Sequence, residues 1–176
     1  YYSLNEWFDS YLADPEEEKT ALAFSNKQVQ SHIYNARRAL KPHAPLYEAG
    51  DTLIAQKPWG LEGKIIIQNN ETLFLVDAEE SEGVWLLRDH KERSFEVLSP
   101  ALQAQHQADL ELLRKRRDWE GYHQLIQRYA EVRHGYAMTF HKSQGSGWNH
   151  VYLDASWMRW DDVEQCLRLL YVGLTR

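Results

Sequence analysis

TALAFSNKQVQSHIYNARRAL, residues 20–40, is the stretch that decides the fold class. Thr20 to Phe24 is a short apolar run with the size of a buried strand. Ser25-Asn26 breaks it, and Lys27 to Leu40 continues with helical spacing until Lys41-Pro42 stops it. Strand, polar turn and helix form one unit of an α/β sheet, and the turn falls where such sheets place ligands.

Working outward, residues 3–13 (SLNEWFDSYLA) set Leu4, Trp7, Phe8, Tyr11 and Leu12 at helical intervals, with Ser3 and Glu6 in capping-box spacing. After Pro45 the texture changes. Asp51–Gln56, Lys64–Gln68, Thr72–Ala78, Gly83–Arg88 and Phe95–Leu98 are short β-rich runs separated by turn-prone stretches such as Pro58-Trp59-Gly60. Five such strands predict a small antiparallel barrel of SH3-like or OB-like size, closed by Pro100. Residues 101–133 are helical in pattern. The α/β texture then returns with a strand at Tyr136–Phe140, a polar loop at His141–Gly147, a strand at His150–Leu153 and a helix at Trp160–Val172. The expected organisation is an α/β domain interrupted by a β insert: 1–45 and 101–176 on the outside, 46–100 as the insert. Trp85 and Trp119 read as core, Trp59 as an exposed turn residue.

Composition bounds the class. The chain has 176 residues, 43% apolar, with seven Trp, which supports a packed interior and argues against disorder. Its one cysteine, Cys166, excludes an internal disulfide framework and fits a reducing, cytoplasmic compartment. No apolar run approaches the length of a bilayer span, so no membrane association is expected. The sequence opens without Met and is read as a piece of a longer protein. Its net charge is −6, which disfavours a general polyanion binder. The charge is uneven: Arg114, Lys115, Arg116 and Arg117 form a basic run on a predicted helix, whose ordinary reading is a solvated face.

The chemistry concentrates in YAMTFHKSQGSGWNHVYLD, residues 136–154. A strand delivers Thr139, His141, Lys142, Ser143, Gln144 and Gly145 into one loop. Hydroxyls, an amide, a cation and flexible backbone together suit a phosphodiester, with neutral donors fixing position and Lys adding charge. No G-x-x-x-x-G-K-[ST] loop occurs, and Gly60 to Lys64 has the wrong spacing for one.

Residues 136–146 resemble motif V of superfamily 1 DNA helicases of the RecD/Dda type, a group that includes the exonuclease V alpha subunit and shares a UvrD-like C-terminal domain. LLYVGLTR, residues 169–176, resembles motif VI, and residues 23–40 resemble motif IV. The resemblance implies a second RecA-like domain with an inserted SH3-like barrel. It also implies ATP and Mg²⁺ as cofactors of the intact protein, 5′→3′ movement on single-stranded DNA, and roles in repair or recombination.

On that resemblance Arg176 is the catalytic arginine finger. Ser25, Asn26, Thr139, His141, Lys142, Ser143, Gln144, Gly145 and Trp148 contact DNA, and Arg38, Gln144 and Arg176 contact nucleotide. No metal ligand is assigned. Gly147 stands where many relatives carry Glu, so it receives no nucleotide role. The implied partners are single-stranded DNA, ATP, a first RecA-like domain holding the phosphate loop, and protein subunits of a repair or replication complex. Without that loop the chain alone should not hydrolyse ATP. The competing expectation is a non-catalytic module whose barrel binds a protein.

Overall fold

The computed structural model describes residues 4–16, 18–61, 63–143, 147–156 and 162–174. In chain order the elements are α1 (Leu4–Ala13), β1 (Lys19–Ala23), α2 (Asn26–Leu40), β2 (Thr52–Ala55), β3 (Trp59–Leu61), β4 (Lys64–Ile67), β5 (Thr72–Ser81), β6 (Val84–Asp89), β7 (Ser94–Leu98), α3 (Gln103–Arg116), α4 (Trp119–Arg128), β8 (Val132–His134), β9 (Ala137–Thr139), β10 (His150–Leu153) and α5 (Val163–Leu174). Residues 1–43 with 135–176 form one compact unit and residues 44–134 a second.

The first unit is α/β. A three-stranded parallel sheet has the order β10-β1-β9, with Leu22 opposite both Leu153 and Met138. Small residues allow α2 to lie close. Ala21, Ala23, Ala36 and Ala137 pack with Val29, Ile33 and Tyr11 in one buried cluster. Ser25 caps α2 in a full capping box: its Oγ accepts from the Gln28 amide while its own N–H donates to Gln28 Oε1. On the other side Tyr11 donates its hydroxyl to the Tyr136 carbonyl, and its ring meets Tyr152 edge-on. Burial, reinforced by nearby Tyr136, Tyr152 and Asp14, pushes the Tyr11 phenol far up its scale.

The second unit is built on an antiparallel sheet of order β7-β6-β5-β2-β8, with β3-β4 as a separate hairpin. Alternation is clear in β6, where Trp85, Leu87 and Asp89 are buried and Leu86 and Arg88 exposed. Trp85 and Leu87 join Leu53, Leu73, Phe95 and Val97 in the core. The expected closed SH3-like barrel is not found among the described pairings, because β7 and β8 remain as sheet edges and the hairpin pairs only with itself. Trp59 also departs from expectation: it is 7% exposed and part of that core. Gly60 explains the tight hairpin. A Cβ there would lie 1.9 Å from the Lys64 carbonyl oxygen, beside a register shift at Trp59/Gly60.

The predicted helical stretch 101–133 is two helices. α3 ends at Arg117, which adopts φ 58°. The Arg117 amide donates to Arg114 O and the Asp118 amide to Leu113 O, a Schellman closure with Arg where Gly is usual. Asp118 then caps α4 through the Gly121 amide. β8 returns to pair with β2, and His134 Nε2 lies 3.0 Å from Leu46 O. The second unit therefore runs to His134, past the sequence boundary at Pro100, because its last sheet strand comes after the helices. Trp119, expected in the core, is 53% exposed. Among the described residues no helix is long and apolar enough to cross a membrane.

Candidate nucleic-acid interface

The parallel strands of the first unit place three chain segments on one sheet edge, the carboxyl edge. β1 runs out into Phe24-Ser25-Asn26, β9 into residues 140–143, and β10 into Asp154-Ala155-Ser156. Open α/β sheets bind ligands at this edge.

The loop after β9 is held by its own backbone. Lys142 and Ser143 both donate their amides to the Thr139 carbonyl, at 3.0 and 3.1 Å, and Thr139 Oγ1 accepts a second contact from the Lys142 amide at 3.3 Å. Phe140 donates to Ala23 O and is buried, which staples the loop to β1. Ser143 is 0% exposed and donates its hydroxyl to Phe140 O at 2.8 Å. That hydroxyl builds the turn and does not face outward, contrary to a direct DNA contact for its side chain. Thr139 is also buried and supports the turn. His141 is exposed and Lys142 half-buried, so these two side chains are the outward groups of the described loop.

Ser25 spends its side chain on the capping box, whereas Asn26 is exposed at the first turn of α2. The amino end of that helix offers positive partial charge at the same edge as the loop. Arg38 is not brought there. It follows Asn26 by twelve residues along α2, about 18 Å of helix, and lies in the last turn. Trp148 is half-buried, with its Nε1 buried and lacking a hydrogen-bond partner. Gln144, Gly145 and Arg176 lie outside the described residues.

One feature of this edge escaped the sequence. His32, in the middle of α2, places Nε2 2.8 Å from Asp154 Oδ2. Asp154 is buried, and its Oδ1 accepts the Ser156 amide at 2.9 Å. Gln28 Nε2 reaches Ser156 Oγ at 3.3 Å. Burial alone would raise the Asp154 carboxyl; the hydrogen bonds from His32 and Ser156 outweigh it and hold the group below its ordinary value. The available signal was the acidic residue closing an apolar strand, VYLD, but its partner lies 122 residues away. Among the described residues no group of three or more His, Cys, Asp or Glu is placed to hold a metal ion.

Residues 134–176 match the UvrD-like helicase C-terminal domain family. A 37-residue stretch is 54% identical to an uncharacterized protein of Acanthamoeba polyphaga mimivirus, covering 20% of this chain and 8% of that protein. Among solved structures, unliganded Pif1 from Bacteroides sp is similar with a TM-score of 0.37 and 11% identity, over 89% of this chain and 55% of that one.

Proposed function

We propose that this chain is the C-terminal motor domain of an ATP-dependent DNA helicase of the RecD/Dda type, a second RecA-like domain interrupted by a β-rich insert, residues 44–134. The observation that carries the reading is the loop from Thr139 to Ser143 on the carboxyl edge of a parallel sheet, within the segment that matches the helicase family. Thr139, Phe140 and Ser143 shape the turn; Lys142 and His141 point the loop's polarity outward. This set fits a sugar-phosphate backbone: one cation for charge, an imidazole for a hydrogen bond, and a rigid turn to fix register. Asn26 and the capped start of α2 add neutral donors on the same edge.

The sequence holds no G-x-x-x-x-G-K-[ST] phosphate loop. In this reading ATP and Mg²⁺ are held by a first RecA-like domain, and Arg176 completes the site. A permanently charged planar donor stabilises the charge that develops on the transferred phosphoryl group. Closure of the two domains on nucleotide then changes the grip of the Thr139–Gly145 loop on single-stranded DNA, and alternation of the two states moves the motor 5′→3′.

The test uses the full-length parent protein. Arg176→Ala should lower DNA-stimulated ATP turnover by about 10³ or more with little change in DNA affinity. An unaltered turnover sinks the finger assignment. Lys142→Ala with Gln144→Ala should weaken single-strand binding and uncouple stimulation. Unchanged binding and stimulation refute the loop's role.

A further inference from the structure

We propose that the α3–α4 elbow, Arg114 to Trp119, is a second binding site for single-stranded nucleic acid, with its cations on phosphates and the Trp119 indole against a base. The proposal lies in the second compact unit, on residues the motor reading does not use, and it holds or falls separately from that reading.

The elbow gathers four cations whose charges are used differently from most others in its unit. Lys57, Arg88, Lys91, Arg93 and Arg128 each pair with a carboxylate. Arg114, Lys115, Arg116 and Arg117 are all exposed, and no ion pair is formed by any of them among the described residues. Favourable interaction with the α3 dipole explains cations in the final turn. It does not explain the choice of a bulky side chain at Arg117, which lies past the helix in a left-handed conformation that Gly adopts more readily. A fourth cation occupies a strained backbone position that a smaller residue would suit better.

The second observation is aromatic. Trp119 opens α4 two residues later, and its exposed ring is held edge-on against Tyr122, with centroids 6.2 Å apart and planes at 81°. A solvent-facing indole close in sequence to a cluster of cations without ion pairs among the described residues suits a base-stacking platform beside a phosphate track. Two of the neighbouring carboxylates are engaged locally. Asp118 Oδ1 accepts the Gly121 amide at 3.0 Å, and Glu120 Oε1 accepts from Gln124 Nε2 at 3.3 Å. The chain carries a net charge of −6, so attraction of a polyanion here has to come from the elbow itself. A single exposed ring among cations favours nucleic acid over an anionic membrane, which rewards a broad apolar face.

The test is fluorescence anisotropy of the full chain with a labelled oligo-dT, over a range of salt. Arg114→Gln, Lys115→Gln and Arg116→Gln together keep helix propensity. They should lower the slope of log affinity against log salt by about 2 and weaken binding at low salt by about tenfold or more. Trp119→Ala should weaken binding by about fivefold or more with the salt slope unchanged, an effect that an abasic strand abolishes. Arg117→Gly should weaken binding while leaving the thermal midpoint equal or higher, which a purely structural role for Arg117 would not produce. An unchanged salt slope in the triple variant overturns the proposal, as does wild-type affinity for Trp119→Ala. So does loss of binding to phosphatidylserine vesicles with oligo-dT binding intact. Lys142→Ala is measured in parallel: if it alone weakens binding, the elbow fails and the loop reading stands, and if only the elbow variants do, the reverse holds.

Discussion

His32 and Asp154 meet across the first unit, Nε2 to Oδ2 at 2.8 Å, and join the middle of α2 to the end of β10. The contact spans two strands' worth of architecture, since β10 pairs with β1 and α2 packs over β1 and β9. Asp154→Asn removes the charge that both His32 and the Ser156 amide address. It should destabilise the chain by about 2 kcal/mol at pH 7, the range for hydrogen bonds to a charged group. The folded-state pKa of Asp154 is depressed, so its contribution is present above the unfolded carboxylate value of about 3.9 and is lost as pH falls through the folded value. Urea midpoints for wild type and variant should therefore differ at pH 7 and converge in acid; a constant difference across pH contradicts the assignment.

Glu71 makes a parallel prediction in the second unit. Burial alone would raise its carboxyl, but Arg93 and Lys91, with the Gln68 amide, hold it down at about 2. With an ordinary value of 4.5, its contribution is complete above that value and disappears as pH falls towards 2. Glu71→Gln should cost about 2 to 3 kcal/mol at neutral pH and little near pH 2. Acid titration of thermal stability reads this directly.

Gly60→Ala tests the hairpin. The added methyl would meet the Lys64 carbonyl at 1.9 Å, and backbone atoms cannot swing aside as a flexible side chain can. A loss of at least about 2 kcal/mol is expected from overpacking, with reduced Trp59 burial visible in its fluorescence. Wild-type stability would show that the hairpin opens without consequence.

Arg133 yields a prediction of opposite sign. It is 9% exposed, and its Nε and Nη2 are buried without hydrogen-bond partners; burial lowers its pKa. An uncompensated guanidinium in that setting is destabilising. Arg133→Met, similar in length and without charge, should raise stability by about 1 to 3 kcal/mol. A drop in the melting midpoint would mean that the guanidinium is compensated in solution.

The elements that could be read from sequence were those with their own period or punctuation. Residues 20–40 announce strand, break and helix, and the alternation in β6 and β7 is visible residue by residue. β8 was not legible: Val132-Arg133-His134 has no strand signature, and pairing with β2 alone makes it one. The tryptophans show why. Pro58-Trp59-Gly60 has turn composition, yet its Gly serves a close approach to the Lys64 backbone and its indole is buried in the core. Trp119 and Tyr122 share one face of α4, but periodicity does not say whether anything covers that face. At the candidate interface, residue types disclosed the loop, while only geometry separates the outward His141 and Lys142 from the inward Ser143.

The central strand of the parallel sheet, β1, belongs to the first 43 residues, and both of its neighbours arrive after residue 134. During synthesis it therefore waits unpaired while the whole intervening segment emerges. A floppy loop of that length would impose an entropic penalty on closing the sheet that grows with the logarithm of its length. The hydrogen bond between His134 and Leu46 O changes the problem: once residues 44–134 fold, their two ends are fastened together. With its two ends held close, the insert leaves the sheet the closure entropy of a short connector.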